Sequence, residues 1–100
     1  MRIIWSQHAL DRLDHIENFY ERTNPAYGKR IVADIFLFVG EMLPTNPRMG
    51  HKMEPLYLDV LREIHYDNYR IIYILAGDHI KIHEVRHFRE LRGDFPDFLF

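Results

Sequence analysis

Leu61 to His87 reads LREIHYDNYRIIYILAGDHIKIHEVRH, and this stretch decides the fold. Asp67-Asn68 and Ala76-Gly77-Asp78 are turn signals of hairpin length, so three short β-type runs meet end to end. Tyr69 to Leu75 is apolar at every position except Arg70, as a central strand covered on both sides requires. Ile80 and Ile82 alternate, but the next apolar residue is Val85. That slip predicts a β-bulge near His83-Glu84 that re-aims His87.

Upstream, Met1 to Trp5 is apolar and β-prone, and Ser6 stands where a helix N-cap belongs. Ala9, Leu13, Ile16 and Tyr20 then recur at helical spacing. Asn24 caps a second helix with Pro25 in its first turn. Ile31, Ile35, Phe38 and Met42 line one face of it, and Val32, Phe36 and Val39 widen that stripe. The second helix is therefore expected to be the more buried, with Pro44 ending it. So short a connection makes the helices an antiparallel hairpin. Thr45 to Leu58 has no period and reads as a long loop. The expectation is an α+β fold, β-α-α-β-β-β, with a helical hairpin packed on a mainly antiparallel sheet.

One hundred residues, 47% hydrophobic, suit a single domain spanning 1–100. The chain has no cysteine, which excludes disulfides and fits a reducing cytoplasm. Its first apolar run is too short for a signal peptide or a membrane span, so no membrane partner is expected. Net charge is −2 with histidines neutral, which provides no global field for nucleic acid. Protonating the seven histidines reverses that sign. Anion binding must be local.

His83-Glu84-Val85-Arg86-His87 has the spelling of the H-E-x-x-H zinc motif, which works on a helix. Here it continues an alternating strand, and about 13 Å of extended chain separates the two imidazoles; no metal site is assigned. Arg62 and Arg70 flank a two-residue turn. They either make cross-strand ion pairs with Glu63 or Asp67, or offer planar cationic forks to phosphate or carboxylate. Arg70 is the sharper candidate because a charge inside an apolar strand needs a reason. His87 is either a satisfied strand-end histidine or a proton carrier. Lys52 and Glu54 are either solvated loop charges or a cation and a base. Phe95 to Phe100 reads as a tail packed on the sheet or first helix, or as an aromatic patch for a partner.

The element order, the Pro47-x-x-Gly50 loop, Leu61-Arg62-Glu63-Ile64 followed by Tyr69-Arg70-Ile71-Ile72-Tyr73, and the Ile80-x-Ile82-x-x-Val85-x-His87-x-Arg89 ending together resemble the RelE/ParE superfamily of bacterial toxins. The resemblance covers nearly the whole chain. It implies the toxin of a type II toxin-antitoxin, or plasmid stabilisation, system. Such a toxin is cytoplasmic, is neutralised by a small cognate antitoxin that wraps it, and forms a homodimer or a heterotetramer with that antitoxin. Neither branch of the superfamily calls for a cofactor.

The branches differ in target. ParE-like toxins inhibit DNA gyrase without nuclease chemistry; RelE- and YoeB-like toxins cleave messenger RNA on the ribosome. The Leu61-Arg62-Glu63 run and the His87-x-Arg89 ending are more similar to ParE. Lys52-x-Glu54-Pro55-Leu56 resembles the YoeB loop, whose matching glutamate is a base, and Arg70 matches an arginine that stabilises the strained phosphate. The nucleases usually carry a catalytic His or Tyr one position beyond His87, where this chain has Phe88. A phenyl ring transfers no proton, so the expected function is gyrase inhibition through a surface bearing Arg62, Arg70, Lys52, Arg86 and Arg89. The alternatives are a ribonuclease using Arg70, Glu54 and His87, and a non-toxic binding module of the same fold.

Overall fold

The computed structural model describes residues 1–53 and 59–89. Glu54 and the phenylalanine-rich end, about which the sequence raised expectations, lie outside them. The order is β1 (Arg2–Trp5), α1 (Gln7–Phe19), α2 (Pro25–Met42), β2 (His51–Lys52), β3 (Leu61–Tyr66), β4 (Tyr69–Leu75) and β5 (His79–His87). These strands form one sheet in the order β1-β5-β4-β3-β2. β4 is the middle strand, as its composition requires. β1 lies parallel to β5, and the other pairings are antiparallel.

The helix starts follow the predicted capping chemistry. Ser6 Oγ accepts from the Ala9 amide at 3.0 Å, and Asn24 Oδ1 accepts from the Tyr27 amide at 3.2 Å. Gly28 lies where the helices cross, and a Cβ there would stand 3.0 Å from Tyr20 Cβ and 3.2 Å from the Glu17 carbonyl. Ala9, Leu13 and Ile16 of α1 and Ile31, Ile35 and Val39 of α2 bury themselves against Ile64, Tyr69, Ile71, Tyr73, Ile80, Ile82 and Val85 of the sheet. A fully buried Leu or Ile contributes about 1.5–3 kcal/mol, so this layer dominates stability.

Two expectations need correction. The long loop after α2 is interrupted by β2, whose His51 and Lys52 pair with Glu63 and Arg62; two polar residues are too few to show a period. The second helix is not apolar-buried all along its stripe either. Met42 and Phe36 are exposed, and Leu37 is 60% exposed. The sheet covers only one side of α2, and Phe36 at the boundary meets Trp5 instead, ring centroids 4.5 Å apart.

The bulge is present. Ile72 pairs with Glu84 while the neighbouring Tyr73 pairs with Ile82, so His83 is the extra residue. Without it, Glu84 and Arg86 would continue the Ile80-Ile82 face into the core. With it, Val85 and His87 take those positions.

Candidate functional site

The cationic residues singled out in the sequence fall into three environments. The first is structural. Arg62 is buried, with Nε donating to the Asp59 carbonyl at 2.9 Å and Nη2 to Asp59 Oδ1 at 2.7 Å. Its Nη1 donates to the carbonyls of Arg48 at 3.0 Å and Gly50 at 2.8 Å. Its cross-strand partner Tyr73 donates to the Pro47 carbonyl at 2.7 Å and accepts from the Gly50 amide at 2.9 Å. The Pro47-x-x-Gly50 signature is thus the segment that this pair clamps. Gly50 is required by close approach: a Cβ would lie 2.7 Å from Tyr73 Oη and 2.8 Å from the Glu63 carbonyl. Lys52 stays largely exposed, 3.5 Å from Asp59. Arg48 also bonds Asp59, and that hydrogen bond, followed by the Arg48 and Arg62 charges, holds the Asp59 carboxyl below its usual range. Arg62 therefore ties the loop to the sheet, and its donors are not presented outward.

The second environment is the sheet face turned away from the helices. Arg70 lies opposite His65 on β3 and Arg86 on β5. Its guanidinium sits over the Phe88 ring at 4.9 Å, and its buried Nε and Nη1 have no hydrogen-bond partner among the described residues. His65 abuts the same ring edge-on at 4.7 Å, and its Nε2 lies 2.7 Å from the carboxylate of buried Glu63. Sequence reading missed the Glu63–His65 pair. Its signal was the i, i+2 spacing on one strand, which places both side chains on one face. Arg86 is committed inward, its Nε 3.5 Å from the Glu84 carboxylate.

The third is a cleft of about 310 Å³ on the helix side of the same sheet end. Arg12 and Arg89 bring its positive charge, and His15 and His87 add two imidazoles. Ile16, Phe19, Tyr20 and Tyr69 supply its apolar and aromatic surface. His87 stands edge-on to Tyr69 at 5.2 Å, and its Nδ1 accepts from the Arg89 amide at 3.0 Å, so the neutral ring carries its proton on Nε2. Burial, then a hydrogen bond shared with Tyr20, raises the Tyr69 phenol pKa, which keeps it a neutral donor. Arg12 is anchored at the cleft wall by Nε donating to the Val85 carbonyl at 2.9 Å. Arg12 and His15 were not read as site residues, although their i, i+3 spacing put a guanidinium and an imidazole on one stripe of α1.

The sheet register separates these environments. Tyr69 pairs with His87 and Arg70 with Arg86. Consecutive rungs face opposite ways, so His87 and Arg70 do not converge. Residues 83–87 are extended, as expected, and among the described residues no three His, Asp or Glu side chains gather to hold a metal ion. Among the same residues no helix is long and apolar enough to cross a membrane.

Solved structures that share this fold include three toxin or toxin-antitoxin structures. The chromosomal ParDE toxin-antitoxin system from P. aeruginosa superposes with a TM-score of 0.71 at 20% identity, covering 87% of this chain and 95% of that one. The toxin-antitoxin complex RelBE2 from Mycobacterium tuberculosis gives 0.63 at 20% identity, over 86% of this chain and 95% of the other. The YoeB dimer from Staphylococcus aureus gives 0.58 at 17% identity, over 87% and 95%. No curated protein matches the chain in sequence. The family model described as the ParE toxin of the type II toxin-antitoxin system parDE matches residues 3–92. With nine-tenths of its length inside that match and a two-helix, five-strand fold common to the three structures, the chain belongs to the ParE toxin family, within the RelE/ParE superfamily.

Proposed function

We propose that this toxin acts in the cytoplasm as an inhibitor of DNA gyrase, by binding rather than by catalysis, and that a cognate antitoxin neutralises it. The observation that carries this reading is the ParE family match over residues 3–92. The separation of Arg70 from His87 supports it, because a nuclease built on both needs them at one phosphate. Antitoxin pairing is supported by the structural neighbours, two of which are toxin-antitoxin systems by description. Arg70 on β4 and Arg89 just beyond the end of β5 are the binding residues favoured here; Arg62 and Arg86 support them from within.

The decisive experiment adds purified protein to gyrase supercoiling and to ribosomes programmed with message. Inhibited supercoiling with intact message is the expected result. Cleaved message with normal supercoiling overturns it. That second reading draws on one feature, the carboxylate-bound imidazole of His65 facing Arg70 on the same side of the sheet. A chain with neither activity, but with antitoxin bound, is a binding module only.

A further inference from the structure

We propose that the cleft between α1 and the β4–β5 end is a binding site for a nucleoside monophosphate, a phosphate ester carried on a flat ring. This assignment is independent of the gyrase reading.

Charge sorting is the first argument. The chain carries 15 Asp and Glu against 13 Lys and Arg. The described residues lining this cleft include two arginines and two histidines and no carboxylate, with Glu84 behind the wall pairing Arg12 at 3.2 Å. Guanidinium and imidazole donors gathered in a concave site suit an anion, and guanidinium matches phosphate bidentately. Several of these groups are held in place rather than left to sweep solvent. Arg12 is fixed by the Val85 carbonyl, and His87 by the Arg89 amide, at 2.9 and 3.0 Å. Tyr69 remains a protonated donor beside them.

The aromatic wall is the second argument. Phe19 is 70% exposed at the cleft, with Tyr20 edge-on at 5.0 Å bracing it. A phenyl face left open next to two guanidinium groups and two imidazoles is the pairing by which proteins hold a base and its phosphate together. The 310 Å³ volume sits at the low end of small-ligand clefts, which suits one nucleotide.

The test measures binding of AMP, adenosine, inorganic phosphate and benzoate to the full chain by calorimetry. AMP is expected to saturate one site, with a Kd at least about tenfold lower than phosphate, adenosine or benzoate. The double variant His15→Ala/Arg89→Ala removes an exposed imidazole and an exposed guanidinium and is expected to weaken AMP about tenfold or more, with unchanged circular dichroism. Phe19→Ala is expected to bring AMP down to the affinity of phosphate. The proposal is overturned by absence of saturable AMP binding at millimolar concentration. It is equally overturned by unchanged affinity in the double variant, or by benzoate or bare phosphate binding as well as AMP.

Discussion

Arg70 and His87 occupy neighbouring rungs of the β4–β5 ladder and face opposite sides of the sheet. Arg70 lies against Phe88 on one face, and His87 against Tyr69 on the other. Residues acting as one catalytic unit give grossly non-additive losses when removed singly and together. Residues serving separate surfaces add. Arg70→Ala and His87→Ala are therefore expected to combine within about 0.5 kcal/mol in a double-mutant cycle on gyrase inhibition. A coupling above about 1.5 kcal/mol would mean that both serve one site after all.

Arg62 is expected to matter for folding before it matters for binding. Its four hydrogen bonds hold the Arg48–Gly50 segment and Asp59 against the sheet. Removing the guanidinium strands buried carbonyls, and Arg62→Ala should lower unfolding free energy in urea by about 3 kcal/mol. Arg62→Lys should recover only part, since an ammonium lacks the planar fork. Tyr73→Phe deletes the hydroxyl that serves both Pro47 and Gly50 and should cost about 1–2 kcal/mol. An Arg62→Ala protein of native stability but abolished toxicity would instead place the side chain in the binding surface.

The outline of this fold was legible because its signals are local. Ser6 and Asn24 are side chains that compete for their own backbone, and they capped the helices where the sequence put them. The broken alternation from Ile82 to Val85 revealed the bulge, since a period of two cannot slip without an extra residue. The site was less legible. Whether Arg62 faces a ligand or its own loop depends on Arg48 and Gly50 carbonyls that come close only after folding. Arg12 and His87 are far apart in sequence, and only the docking of α1 on β5 brings them to one cleft. β2 escaped because pairing with β3, not any pattern of its own, makes it a strand.

Glu84 joins α1 to the bulge. It is fully buried, and its carboxylate lies 2.7 Å from His8 Nε2 and, as ion pairs, 3.2 and 3.5 Å from the Arg12 and Arg86 Nε atoms. Breaking a buried ion cluster by deleting one charge is strongly destabilising because its partners stay desolvated. Glu84→Ala is expected to cost about 3–5 kcal/mol. Glu84→Gln keeps the shape and a hydrogen-bond acceptor and should cost less. Urea unfolding orders the three proteins, and an alanine variant as stable as the parent would show that the cluster contributes nothing net.

His83 gives stability a pH dependence whose sign follows from its burial. Removal from water, then the nearby Lys81 and His8 charges, lower its pKa from 6.5 to about 4. Between those values the unfolded chain takes up a proton that the native chain refuses. Stability is thus complete above about pH 7, falls as pH drops from about 6.5 toward 4, and then levels. The full swing is about 3 kcal/mol at most, and about 2 kcal/mol of it is gone by pH 5. Carboxylates elsewhere also titrate in acid, so the useful comparison is between the parent and His83→Gln, unfolded in urea at pH 7 and pH 5. The variant should lose less stability than the parent over that interval. Equal losses would mean that the His83 ring is protonated in the native protein at pH 5 and shares its site with water.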